Sequence, residues 1–168
     1  MSTHAEWEAL NSEVGSLYHQ GLYGRAVVVA KKALQVAEQA IDPARPDVAE
    51  SLNTLALLHE TKGQYALAEP LYRRALTILE KALGPDHPDV ATSLNTLAGL
   101  YESQDQHARA EPLYRRALAI REKAFGPDHP GVVMILENMA WLYREMGRDQ
   151  DAELLERRAA ASLRLSAM

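Results

Sequence analysis

The sequence has no cysteine, and it has a single phenylalanine among its 168 residues. The missing thiols exclude disulfides and thiolate metal sites, although they leave the compartment open. The N-terminal run "MSTHAEWEAL" has no basic segment followed by an apolar one, so no leader is expected and cytoplasmic residence is the default. Long hydrophobic runs are also absent. The stretch from Ala26 to Ala30 falls far short of the roughly 18–20 residues of a membrane span, so no membrane insertion is expected. A basic excess is lacking too. The net charge of −5 argues against a nucleic-acid partner, which usually meets a basic stripe. There is no Gly-rich phosphate loop, HExxH segment or GxSxG elbow, so no enzyme activity, cofactor or metal is expected. Hydrophobic content of 47% is nonetheless ordinary for a folded chain, which argues against global disorder.

What the sequence does have is a period. The 42 positions from Pro46 to His87 return in register from Pro88 to His129, with 31 identities. Weaker copies flank this pair and divide the chain at about 4–45, 46–87, 88–129 and 130–168. A fixed period of this size is the mark of stacked repeats, each too small to bury its apolar face alone. The expected organisation is therefore one array over residues 1–168.

Each unit reads as a helical hairpin. In the second, Val48, Leu52, Leu55, Ala56 and His59 fall at helical spacing, and Ala68, Leu71, Tyr72, Ala75, Leu76, Leu79 and Ala82 follow the same period. Gly63 divides the two runs, as Gly21, Asp105 and Gly147 do in the other units. Pro46, Pro88 and Pro130 suit the first turn of a helix, where a missing N–H costs little. Ala56, Ala68 and Ala75 recur at the matching places in the later units, and small residues there let two helices approach closely. Pro70 and Pro112 lie inside their helices, where each removes one backbone hydrogen bond.

The row Leu94, Leu97, Ala98, Tyr101, Asp105, His107, Ala110 and Ala117 resembles the tetratricopeptide repeat, with Asp105 and His107 standing where that family favours Gly and Tyr. The 42-residue length and the strings "SLNTLA", "AEPLYRRAL" and "GPDHP" resemble the kinesin light chain-type variety. The resemblance implies an all-α fold, a right-handed α-solenoid of four antiparallel helix pairs. It also implies that the first helices line a concave groove that binds a peptide or protein segment. Mapped by position, that groove carries Asn11, Tyr18, Glu50, Asn53, Leu57, Glu60, Asn95, Glu102, Trp141 and Arg144 as candidate peptide-binding residues.

Within those rows Asn11, Asn53 and Asn95 form a ladder, which Glu137 breaks in the fourth unit, with Asn138 one residue later. An Asn side chain both donates and accepts, so it can pair with an extended backbone, or simply with water or a neighbouring helix. The rows hold six glutamates, Glu8, Glu50, Glu60, Glu102, Glu137 and Glu145, against one arginine, Arg144. An acidic groove favours a basic or partly apolar partner segment. Trp141 reads equally as an apolar anchor or as a core residue. Gly15 and Gly99 hold the place of Leu57 and Trp141 in their units and would leave room there.

Other conspicuous groups have structural readings. Glu69, Glu111 and Glu153 each stand four residues before an arginine of the pairs at 73–74, 115–116 and 157–158, the favourable order for helix-surface ion pairs. Asp86-His87 and Asp128-His129 fit turn and helix-start chemistry better than a metal site. Polar Glu13, Ser16, Glu156 and Ser162 replace apolar residues of the inner units and read as capping of a self-contained array. Leu154, Leu155, Leu163 and Leu165 remain near the C-terminus. The expected state is a monomer or a weak homodimer through that last helix. Self-assembly through the end helices is the alternative function.

Overall fold

The computed structural model describes residues 2–39 and 45–168. Among these residues there are eight α-helices and no strand: α1 (Thr3–His19), α2 (Tyr23–Glu38), α3 (Pro46–Thr61), α4 (Tyr65–Leu83), α5 (Pro88–Glu102), α6 (His107–Phe125), α7 (Pro130–Glu145) and α8 (Asp149–Ser166). Residues 40–44, which lead up to the expected boundary of the first repeat at position 45, lie outside the described residues. The chain forms two compact units, Met1–Pro85 and Asp86–Met168. In the first, α1 packs on α2, α2 on α3 and α3 on α4; in the second, α5 packs on α6, α6 on α7 and α7 on α8.

The helix boundaries follow local chemistry. Pro88 and Pro130 open α5 and α7, and the residue before each is a histidine N-cap. The His87 Nδ1 accepts from the Asp89 backbone N–H at 3.1 Å, and the His129 Nδ1 accepts from the Gly131 N–H at 3.0 Å. The two Asp-His pairs thus start helices. At the turn between α3 and α4, Gly63 takes a φ of 71°, and the Gln64 N–H closes onto the His59 carbonyl at 2.8 Å. Asp105 takes the same left-handed conformation at 57°, which Asp tolerates better than most side chains. Carbonyls at the helix end are satisfied in both cases.

Small residues form the contact between paired helices. Ala56, Ala68 and Ala75 are fully buried, as are Ala98, Ala110 and Ala117. In the first unit the core joins Val14, Leu17, Ala26, Val27 and Ala30 to Leu55 and Leu58. The Trp7 indole N–H crosses from α1 to α3 and donates to the buried Ser51 Oγ at 2.7 Å. In the second unit Val132, Val133 and Leu136 of α7 pack against Ala159 of α8. Pro70 and Pro112 are exposed, and α4 and α6 run through them uninterrupted.

Two positions differ from the sequence reading. Ala82 is exposed, because it lies beyond Leu79, the last buried residue of α4. Ser162 is buried instead of capping a surface, and its Oγ donates to Asp128 Oδ1 at 2.8 Å. Glu13, Ser16 and Glu156 are exposed.

Candidate functional site

In the first unit, helical spacing places Asn11, Gly15 and Tyr18 on one face of α1, and Glu50, Thr54 and Leu57 on one face of α3. Together with Val14 and Leu58 these residues line a pocket of about 230 Å³. Gly15 contributes to the opening, since a Cβ added there would meet nothing within 4 Å. Four of the ten sequence candidates, Asn11, Tyr18, Glu50 and Leu57, therefore converge on one cavity.

The amide that lines this pocket, and a second one on α3, are poorly served from within. Both side-chain polar atoms of Asn11 are buried without a hydrogen-bond partner, and so is the Asn53 Oδ1. Each such buried orphan costs about 1–3 kcal/mol that a partner would recover. Glu50 stands exposed at the rim, but partial loss of water, and then the Asp47 charge, push its carboxyl above the usual range. An anion held this way is stabilised by any approaching cation.

In the second unit the equivalent amides look after themselves. Asn138 Nδ2 donates to Asn95 Oδ1 at 3.2 Å, so the residue one place out of register closes the ladder. The apolar side of this face is open: Met134 and Trp141, two turns apart on α7, are 45% and 47% exposed. Trp141 is therefore a surface residue, which removes the core reading of it.

The remaining candidates are engaged with the second helices. Glu60 accepts from the Tyr72 hydroxyl at 2.8 Å, and Glu102 from the Tyr114 hydroxyl at 2.6 Å. Burial and then this hydrogen bond raise both tyrosines well above the ordinary phenol value. Glu102 itself is raised, chiefly by burial. Arg144 makes a two-pronged contact with Glu156 on α8, both bonds 2.8 Å long. These three residues brace hairpins from the edge of the face.

The arginine pairs behave as helix-surface ion pairs: Arg73 meets Glu69 at 3.0 Å, Arg115 meets Glu111 at 2.6 Å and Arg157 meets Glu153 at 3.5 Å. Glu111 does more than the sequence reading gave it. Its Oε1 also accepts from the Tyr143 hydroxyl and from Arg148 Nη1, each at 3.0 Å, tying α6 to the end of α7 and the start of α8. Burial alone would raise its carboxyl, but the bonds from Arg148 and Tyr143 and the charges of Arg115 and Arg148 hold it below the usual range. The one available signal was Arg148 itself, which departs from Gln64 and Gln106 at the same repeat position.

Among the described residues, no three or more acidic or histidine side chains are grouped to hold a metal ion, and no helix is long and apolar enough to cross a membrane.

Comparison with known proteins fits this architecture. The model of the tetratricopeptide repeat matches residues 8–81, 62–123 and 98–164. Among curated protein sequences none matches. Solved structures that are similar include BtubC (BKLC) from P. vanneervenii, at 21% identity and a TM-score of 0.79, covering 96% of this chain and 74% of that one. Nearly identical TPR-like repeats of a kinesin light chain-type protein from Podosopora anserina share 22% identity at a TM-score of 0.84, covering 96% of this chain and 76% of that one. Aspartyl phosphate phosphatase F from Bacillus subtilis has 15% identity and a TM-score of 0.86, covering 99% of this chain and 42% of that one. At these identities the likeness is one of fold. Repeats of this kind generally mediate protein–protein interaction or assembly. The chain belongs to the tetratricopeptide repeat family.

Proposed function

We propose that this chain is a non-enzymatic, cytoplasmic interaction scaffold whose four repeats act as one array. It binds an extended protein segment, basic or partly apolar, on the faces of its first helices. The observation that carries the reading is the set of unpartnered amide atoms of Asn11, which lines a preformed pocket, and of Asn53 on α3. A backbone amide offers the donor and acceptor that these atoms lack. Exposed Trp141 and Met134 add an apolar contact of the type that dominates binding energy.

Affinity capture from the native host tests the reading. Asn53→Ala and Trp141→Ala should each deplete the captured partner, while Leu163→Glu on α8 leaves it unchanged. The opposite pattern would remove the first-helix faces from the account.

A second reading rests on α8, where Leu154, Leu163 and Leu165 are 63%, 51% and 60% exposed. Leu154 and Leu165 share one side of the helix and Leu163 lies on the other, so apolar surface is open on both sides and favours self-association through the last helix. Sedimentation over a wide concentration range separates the two. Mass that rises with concentration and falls back with Leu163→Glu supports self-assembly, and a constant monomer mass removes it.

A further inference from the structure

The geometry points to the pocket between α1 and α3 as a subsite for one basic side chain, a cation carried on an aliphatic stem such as that of lysine or arginine. The inference rests on the reading that a bound segment lies over these helices, and it names what that segment must present there.

Three features of the cavity select this occupant. Its walls are largely apolar: Val14, Tyr18, Leu57 and Leu58 offer surface to a methylene chain. Long cationic side chains bury such stems while keeping the charged head near water. Among the described residues the only charged one lining the pocket is Glu50, and no lysine, arginine or histidine does so. Glu50 has no ion-pair partner among the described residues, whereas the neighbouring Asp47 is already paired with Arg45 at 3.0 Å and approached by His4 at 3.6 Å. Asn11 then supplies the third feature, an amide with neither polar atom satisfied. Both atoms are shut off from solvent, so this amide reaches the bound backbone by turning outward, exchanging an orphaned position for a hydrogen bond. An acidic side chain would meet Glu50 unfavourably. A purely apolar one would cover that carboxylate without pairing it, which is costly. The size of about 230 Å³ suits a single long side chain and is too small for a folded element.

The second unit carries no copy of this arrangement. Between α5 and α7, Met134 stands at the place of Glu50 and Glu102 at the place of Tyr18, so the anion on the second wall is missing. Asn95, at the place of Asn11, is bonded to Asn138, at the place of Thr54. The basic-side-chain subsite therefore belongs to the first unit alone.

The test uses the full chain labelled with ¹⁵N and titrated with blocked single residues: the N-acetyl methylamides of lysine, arginine, norleucine and glutamate. The lysine or the arginine compound should shift the amides of Asn11, Gly15, Tyr18, Thr54 and Leu57, together with the Asn11 side-chain NH₂. Norleucine, which keeps the stem but lacks the charge, should bind about tenfold more weakly or less, and glutamate not at all. Glu50→Gln should cost the cationic compounds about the same factor. Gly15→Leu fills the cavity from a position where added atoms meet open space, so it should abolish binding in a chain whose other resonances stay in place. Equal binding of norleucine, indifference to Glu50→Gln, or shifts scattered over exposed carboxylates elsewhere would overturn the assignment. Such a failure with partner capture still sensitive to Trp141→Ala removes this subsite only. Selective lysine or arginine binding with capture insensitive to every first-helix variant supports the subsite and removes the wider reading instead.

Discussion

Replacing Glu111 by glutamine should loosen the second unit in a way that depends on pH. The side chain is 17% exposed, and three donors converge on its Oε1, from Arg115 at 2.6 Å and from Tyr143 and Arg148 at 3.0 Å each. Glutamine keeps the shape and one acceptor oxygen but removes the charge. A hydrogen bond to a charged group contributes about 1.5–3 kcal/mol net, against about 0.5–1.5 kcal/mol for a neutral one. The Arg115 contact is a solvated surface pair and adds little. Weakening the Tyr143 and Arg148 bonds together should cost about 1–3 kcal/mol at neutral pH. The sign of the pH effect follows from the lowered carboxyl. Its stabilisation is fully present above the ordinary value of 4.5 and is lost as pH falls through the lower value of the folded chain. Urea unfolding followed by circular dichroism should therefore show a clear gap between native chain and variant at neutral pH that closes in acid. A gap of equal size at both, or none at neutral pH, would refute the role given to Glu111. Adding Tyr143→Phe should cost less in the variant than in the native chain, since both act on one network.

Three further predictions concern the first unit. Gly15→Ala should raise stability by about 0.5–1 kcal/mol in thermal or urea unfolding, because it sits within α1 and its new methyl group meets open space. The same change at Gly63 should destabilise by about 1–2 kcal/mol, since that residue has a φ of 71°. Glu50→Gln should be slightly stabilising at neutral pH and lose that advantage in acid. A raised carboxyl contributes stability that is fully present below the ordinary value of 4.5 and is lost as pH rises through its folded-state value. Unfolding midpoints measured across that range check the direction.

The helices and their pairing were legible because the repeat displays them more than once. Ala56, Ala68 and Ala75 return as Ala98, Ala110 and Ala117, and all six are fully buried. Asp105 could be placed in a left-handed turn only because Gly63 and Gly147 mark its register. Local ion pairs such as Glu69–Arg73 were legible for the same reason, since helix geometry fixes residues four apart. What stayed hidden depends on side chains reaching between helices. Glu60 and Glu102 read as free charges of a groove, yet each accepts from a tyrosine twelve residues later. Arg144 read as a groove cation and is turned to Glu156. Ser162 lost an expected surface role to Asp128. Trp141 was undecidable from periodicity, because a large aromatic at a first-helix position fits an anchor or a core equally well. The room left by Gly15 was legible from the repeat register, but the two unpaired amide atoms of Asn11 beside it are not a pattern in one dimension.

The most direct test of the central claim is amide hydrogen exchange on the full chain, free and bound to the partner captured from its host. The account predicts new protection concentrated on α1 and α3, around Asn11, Tyr18, Asn53 and Leu57, and on α7 around Trp141. Protection confined to α8, or to the outer surfaces of α2, α4 and α6, would contradict it.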